Sequence, residues 1–394
     1  MQNFEFNNSL YAKKNTFYLI CVEVILQFII LFYSNNTTIT KYLLLVLLCL
    51  SFILCIIEIK KVNAINLFLS ILIGLLMIIS TLLGSGGWGA FVNYAIFIIN
   101  FIVLSKMKFS YKQICLVSKI YVLFFIILMF FSKRVYTIYI NTNVFNYSLN
   151  PNTVAYLTLL NAFFLFQLIK KRYSKIKLLL IISITFYLLL ETGSRTSLFA
   201  FIIFLIMYLL YKNKKYIINK TINRKYKFWI GFIIAMSFVV IFIYSRLLPY
   251  LLPSKEIIIL KKNLFSGRQL IWEEILNLIK FNWVFGVGAD YAFGGQFYSA
   301  HNFFLGYASI FGLPVMVGIV ILLYRVLKDS FIRNKNENTN FLFCIWVSLL
   351  FVSMFETVLS FSLVLVFSTT LFTFNCCNDI MIPEIKTDKT AKIS

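Results

Sequence analysis

Acidic side chains are scarce in this chain. Asp and Glu number 14 against 37 Lys and Arg, and there is a single His. Charged residues of both signs make up 13% of the 394 residues, roughly half the share of an ordinary soluble domain. With 61% hydrophobic residues and 44 Phe, a water-soluble enzyme is excluded, because too few charges remain to cover its surface. Cysteine gives no framework. Cys21, Cys49, Cys55, Cys115 and Cys344 lie inside apolar runs, where a free thiol behaves as a small hydrophobe. The adjacent pair Cys376–Cys377 lacks metal-site spacing, so neither disulfides nor zinc are expected. No Asp-x-Asp motif occurs, and neither a metal nor a cofactor is expected. The net charge of +23 comes without a basic arm, zinc-finger spacing or aromatic RNA motif, which argues against a nucleic-acid partner. No small-residue cleavage site precedes Tyr33, so the first apolar run is expected to be an uncleaved span rather than a signal peptide.

What is abundant is uninterrupted apolar sequence. At about 20 residues per crossing, the runs predict an all-α polytopic integral membrane protein of about twelve transmembrane helices, in a range of about 10–12. The expected spans are 16–33, 42–59, 65–83, 90–104, 114–131, 153–169, 178–191, 196–211, 229–245, 303–324, 341–355 and 358–375. The whole chain, 1–394, is expected to form a single membrane domain. The basic residues gather in alternate connections. Lys13/Lys14, Lys60/Lys61, Lys106–Lys112, Lys170–Lys177, Lys212–Lys227, Arg325–Lys335 and Lys386–Lys392 outweigh the other set by more than two to one. By the positive-inside rule both termini are then cytoplasmic, with 376–394 as a cytoplasmic tail. Two longer connections fall outside: 132–152, and the large external loop 246–302. Within the second, Gly267–Lys280 has helical period, with Ile271, Ile275, Leu278 and Ile279 on one face beside Trp272, and Glu273 and Glu274 on the other. That pattern predicts a short amphipathic helix lying on the membrane surface.

Ionisable and Gly-flanked residues at or near membrane depth are the places to look for chemistry. Four stand out, all on the expected external side. In Glu191-Thr-Gly-Ser-Arg195, a break between two apolar runs, Arg195 either points into an external cavity or snorkels to the lipid interface. A guanidinium suits a diphosphate because its fork donates several fixed hydrogen bonds and keeps its charge. Arg268, in Ser266-Gly267-Arg268, stands at the start of the loop helix, where helix N–H groups bind anions; the alternative is a solvated surface residue. Gly286-x-Gly288 is followed by the only His, His301, beside Asn302, where the loop re-enters the membrane. The glycines suit a tight turn or a close backbone approach to ligand. His301 is placed to act as a general base, or serves structure alone. Glu356, between two apolar halves, is either a functional carboxylate or a partner that sets Arg195 or Arg268 in place. Arg246, at the head of the long loop, joins Trp272 and Asn302 as a candidate for substrate binding.

Several of these short motifs occur in a familiar order. Gly193-Ser194-Arg195-Thr196, Ser266-Gly267-Arg268-x-x-x-Trp272, Gly286-x-Gly288 with Ala300-His301-Asn302-x-x-Leu305, and the turn Asn150-Pro151-Asn152 together resemble the O-antigen polymerase/O-antigen ligase superfamily. The likeness covers most of the chain. It implies transfer of an undecaprenyl-diphosphate-linked glycan at the external face of the bacterial cytoplasmic membrane, with catalytic roles for His301, Arg268 and Arg195. Glu356, Asn302, Arg246, Trp272, Gly286 and Gly288 are expected to serve substrate binding. No nucleotide sugar is needed, and the enzyme is expected to be metal-independent.

Within that family a polymerase joins lipid-linked repeat units into O-antigen, capsular or exopolysaccharide, and a ligase moves the chain to an acceptor. Polymerase is the favoured expectation here and ligase the alternative. A lipid-linked oligosaccharide flippase is the competing class, but no internal repeat or midplane charge pattern supports it. A chain-length regulator and a flippase are the partners such a polymerase would work beside, together with the lipid bilayer. Sugar specificity is expected in the 132–152 and 246–302 loops, with Tyr291, Phe293, Phe297 and Tyr298 as stacking candidates.

Overall fold

The computed structural model describes residues 14–33, 37–84, 87–107, 109–131, 151–169, 175–213, 222–247, 250, 258–259, 262–263, 268–289, 291, 300–333 and 337–356. In chain order the helices are α1 (Lys14–Phe32), α2 (Thr37–Glu58), α3 (Ala64–Leu83), α4 (Trp88–Leu104), α5 (Tyr111–Phe131) and α6 (Pro151–Ile169). They continue as α7 (Lys175–Thr192), α8 (Arg195–Asn213), α9 (Ile222–Phe242), α10 (Arg268–Phe281), α11 (Phe303–Phe311), α12 (Leu313–Arg333) and α13 (Glu337–Ser353). A π-helical turn, Ile243–Leu247, extends α9. Two-residue strands β1 (Ile258–Ile259) and β2 (Lys262–Asn263) pair antiparallel.

Among the described residues, six helical stretches are long and apolar enough to cross a membrane: Lys14–Phe32, Thr38–Lys61, Ala64–Leu83, Lys112–Met129, Pro151–Ile169 and Phe228–Leu247. Shorter apolar helices are Trp88–Leu104, Arg195–Leu210 and Phe341–Ser353. Helices α2, α3 and α7 present large apolar side chains outward, among them Ile56, Phe68, Leu82, Ile176 and Tyr187. In water that surface would be untenable; against lipid tails it is solvated. Helix α6 is instead central, its Leu157, Leu160, Phe163 and Phe164 almost wholly buried. The expected span 358–375, the tail 376–394 and residues 132–150 of the smaller loop lie outside the described residues.

One expected span is two helices. The apolar run 303–324 breaks at Gly312, where φ is 92°. A side chain at Gly312 would overlap the backbone of Val284 and Phe285, and one at Gly286 that of Ser309 and Ile310. The break is a docking point: Val287 N–H donates to Ser309 O at 2.7 Å, Gly288 N–H to Ile310 O at 3.2 Å, and Leu313 N–H to Trp283 O at 2.7 Å. The last carbonyls of α11, which no helical N–H satisfies, thus bond the 283–288 turn. From α3, the Ser80 hydroxyl also donates to Phe285 O.

Helices α3 and α12 run antiparallel. Asn66, near the start of α3, accepts from Arg325 Nε at 3.2 Å. Ser80, near its end, reaches Ile310 O at 3.3 Å. Between them Gly318 leaves room for Ile73, which a Cβ would approach at 2.8 Å. Small residues allow this close helix approach, where dispersion rather than water exclusion holds helices together. Lys106 pairs with Asp329 at 3.6 Å and Lys61 with Glu58 at 2.6 Å. Lys61, Lys106 and Arg325 therefore gather at one end of the bundle, and the 283–288 turn lies at the other.

Candidate functional site

At the end of the bundle remote from Lys61, Lys106 and Arg325, a single carboxylate collects donors from three distant segments. Glu356 follows the last turn of α13, its N–H bonded to Val352 O at 3.0 Å. Its Oε1 forms a close ion pair with Arg268 Nη2 and accepts from Asn152 Nδ2 at 3.2 Å. Its Oε2 lies 3.0 Å from His301 Nδ1. The carboxyl side chain is 8% exposed, that of Arg268 13% and that of His301 29%. His301 is thus the most open member, with its Nδ1 edge committed to the carboxylate.

Each donor is delivered by the start of a helix. Pro151 begins α6 with a φ already suited to the first helical position, and Asn152 follows it. The chain turns at Gly193, and Arg195 opens α8, with Leu198 N–H returning to Ser194 O at 3.1 Å. Arg268 opens α10, and His301 stands just before α11. Four helix N-termini therefore converge on one region. Their unpaired N–H groups and aligned peptide dipoles add positive potential to that of the guanidinium groups. Arg195 is half-buried within electrostatic reach of Arg268 and of the Tyr244 hydroxyl. Tyr156, one turn beyond Asn152 on α6, is buried close enough to feel the charges of both Glu356 and Arg268.

The other sequence candidates are distributed around this cluster. Asn302 caps α11: its Oδ1 accepts from Leu305 N–H at 2.9 Å, and its Nδ2 donates to Met354 O at 2.7 Å. It is fully buried and ties the start of α11 to the segment carrying Glu356. Trp272, also fully buried, donates from Nε1 to Ala300 O at 2.7 Å, directly before His301. Tyr244 packs against the Trp272 ring at 5.5 Å and against Phe355 at 5.7 Å. The apolar face of α10, expected to rest on the membrane, is therefore covered by protein. Ile271, Trp272 and Ile275 form a small core with Ile241, Ala300 and Leu305, because only there does the indole N–H meet an acceptor. Arg246 pairs with Glu273 at 3.2 Å, both nearly half exposed. Gly286 and Gly288 make their contacts at Ser309 and Ile310, about 12–13 Å along α11 from His301. Tyr291 donates to Glu274 at 3.1 Å, which holds its hydroxyl above the usual tyrosine range; Phe293, Phe297 and Tyr298 lie outside the described residues.

His301 has a φ of 46°, alone among the described non-glycine residues in being positive. Such a backbone costs on the order of 1 kcal/mol or more and persists only where surroundings over-determine it. Here Trp272 holds the residue before it and Asn302 anchors the residue after it.

Asn152, Tyr156 and Tyr244 were not singled out as site residues from the sequence. Asn152 had a signal, the Asn150-Pro151-Asn152 turn; the two tyrosines had none, being indistinguishable from other span aromatics. Among the described residues no group of three or more His, Cys, Asp and Glu could hold a metal ion. The arrangement suits anion binding by Arg268 and Arg195 beside a carboxylate-oriented imidazole. No curated protein matches the chain. Residues 178–320, which include Arg195, Arg268 and His301 but neither Asn152 nor Glu356, match the family model described as O-antigen ligase.

Proposed function

We propose that this protein transfers a glycan from a polyprenyl-diphosphate carrier to an acceptor sugar hydroxyl at the external face of the cytoplasmic membrane, joining lipid-linked repeat units as a polymerase. The observation that carries the proposal is the Arg268–Glu356–His301 cluster at the convergence of four helix N-termini. It lies at the end of the bundle opposite Lys61, Lys106 and Arg325, which the positive-inside rule makes cytoplasmic.

The reaction breaks the bond between the donor anomeric carbon and the diphosphate oxygen and forms one from that carbon to the acceptor oxygen. The electron pair leaves with the polyprenyl diphosphate. Arg195, Arg268 and the helix N-termini offset the charge that grows there, in a setting where few waters compete. His301 takes the acceptor proton on Nε2, while Glu356 accepts a hydrogen bond from Nδ1–H. That contact fixes the tautomer and stabilises the imidazolium once formed. Trp272 and Asn302 act as positioning residues for His301. Arg246 is assigned to shaping the donor approach rather than to the transfer, while Gly286 and Gly288 let the 283–288 turn pack against the end of α11. No step draws on a metal or cofactor.

A ligase reading has its own support, the description of the matching family as O-antigen ligase. Purified protein in liposomes with a defined lipid-linked repeat distinguishes the two. A ladder of lipid-linked oligomers from the repeat alone supports the polymerase. Transfer only on addition of a separate lipid or protein acceptor supports the ligase. Absence of transfer in either arm, by protein whose folding is verified, overturns both. His301→Ala and Arg268→Ala are each expected to abolish the ladder; wild-type output from both variants would remove the mechanism.

A further inference from the structure

Three carboxylates are buried among the described residues: Glu23, Glu58 and Glu356. Two of them have a cationic side chain. Glu58 holds Lys61 at 2.6 Å, and Glu356 holds Arg268 and His301. Glu23, in the middle of α1 and only 1% exposed, has none. What surrounds it is polar and neutral. Ser51 of α2 turns its hydroxyl to Glu23 Oε1 at 3.1 Å, while the same single proton is shared with Leu47 O at 2.9 Å. Asn100 of α4 donates from Nδ2 to that Ser51 oxygen at 2.8 Å. Gln27 lies one turn along α1 from Glu23, on the same face, about 6 Å away between Cβ atoms.

Four of the buried polar atoms without a hydrogen-bond partner among the described residues belong to this cluster's side chains. Glu23 Oε2, Asn100 Oδ1 and both amide atoms of Gln27 are buried without a hydrogen-bond partner. A carboxylate and two amide oxygens left unpaired in an apolar interior cost several kcal/mol between them. One positive charge placed among them removes the cost. A proton on Glu23 would satisfy a single amide oxygen and leave the other unmet. A divalent ion would leave one uncompensated positive charge and too few ligands. A small monovalent ion would draw on Glu23 Oε2, Asn100 Oδ1, Gln27 Oε1 and Ser51 Oγ, all hard oxygen donors of the kind alkali ions prefer over softer nitrogen or sulfur.

We infer that Glu23, Gln27, Ser51 and Asn100 form a buried binding site for a single alkali cation, of the sodium class, between α1, α2 and α4. The site uses none of the residues assigned to glycan transfer and stands independently of that reading.

The test is thermal unfolding of the full-length protein in lipid nanodiscs, at fixed pH and ionic strength, with choline chloride replaced stepwise by sodium chloride. Sodium is expected to raise the Tm of the wild type saturably, by about 3 °C. Glu23→Gln, neutral and of nearly the same shape, is expected to unfold at the same temperature in either salt. Gln27→Leu retains the charge and removes one ligand; it is expected to move the sodium midpoint about tenfold higher. A Tm indifferent to sodium overturns the site, and so does a sodium response that Glu23→Gln and Gln27→Leu both leave unchanged. A Tm that follows pH alone and is levelled by Glu23→Gln identifies a proton as the occupant, and also overturns it.

Discussion

Removing the charge of Glu356 takes the counter-ion from Arg268 and leaves one acceptor oxygen for Arg268, His301 and Asn152. Glu356→Gln keeps the shape and is expected to lower stability by about 1.5–3 kcal/mol, the range for hydrogen bonds to charged groups, read as a fall in Tm. Its larger effect is expected on transfer, because the imidazole then has no fixed tautomer. His301→Ala should reduce the initial rate by about 10²–10⁴-fold, the usual contribution of a positioned general base. Arg268→Lys retains a positive charge but gives up the planar fork that binds an anion at two points. It is expected to recover less than a tenth of the wild-type rate, as measured with a defined lipid-linked donor. Arg195, Arg268, His301 and Glu356 each stood out in the sequence as ionisable residues in apolar surroundings. The pairing of Glu356 with Arg268 was one of the alternatives the sequence left open; the approach of His301 and Asn152 to the same carboxylate was not legible, because contacts spanning 55 to 204 residues leave no periodic trace. Asn302 looked like a neighbour of the histidine; its backbone hydrogen bonds make it a helix cap.

Among the elements, α10 was legible as an amphipathic helix from its spacing alone, and the observed Arg268–Phe281 agrees within a residue. What its apolar stripe faces was not legible. A membrane surface and a small protein core select the same periodicity. The indole hydrogen bond to Ala300 decides between them. Trp272→Phe preserves the ring packing and leaves that carbonyl unmet, at an expected cost of about 1–3 kcal/mol. The same variant should slow transfer by releasing the residue next to His301, a loss that Tm alone would not reveal. The break between α11 and α12 also had a signal, since Gly312 is followed by Pro314, the usual order of a helix stop and a new start. Hydropathy concealed it, because every other residue nearby is apolar. Gly312→Ala combines a positive φ with overlap onto Val284, and sharply reduced folded yield is expected on size-exclusion chromatography.

For the molecule as a whole, the alternation of basic and neutral connections was readable and gives a testable orientation. In a cysteine-free background, Phe281→Cys is expected to react with a membrane-impermeant maleimide added to intact cells, and Lys61→Cys only after permeabilisation. The reverse pattern would place the Glu356 cluster on the cytoplasmic side. Packing order was not legible: lipid-facing α2 and α3 and central α6 have similar apolar content, and only small residues and buried polar groups separate them. The cluster is also dispersed along the chain. Its donors begin at Asn152, yet the carboxylate that gathers them arrives at residue 356. During synthesis Asn152, Arg268 and His301 are therefore made before their shared acceptor exists. A nascent chain that has not yet reached residue 356 holds these groups unassembled. The cluster therefore assembles only after residue 356 is made, whatever the order in which the earlier helices pack.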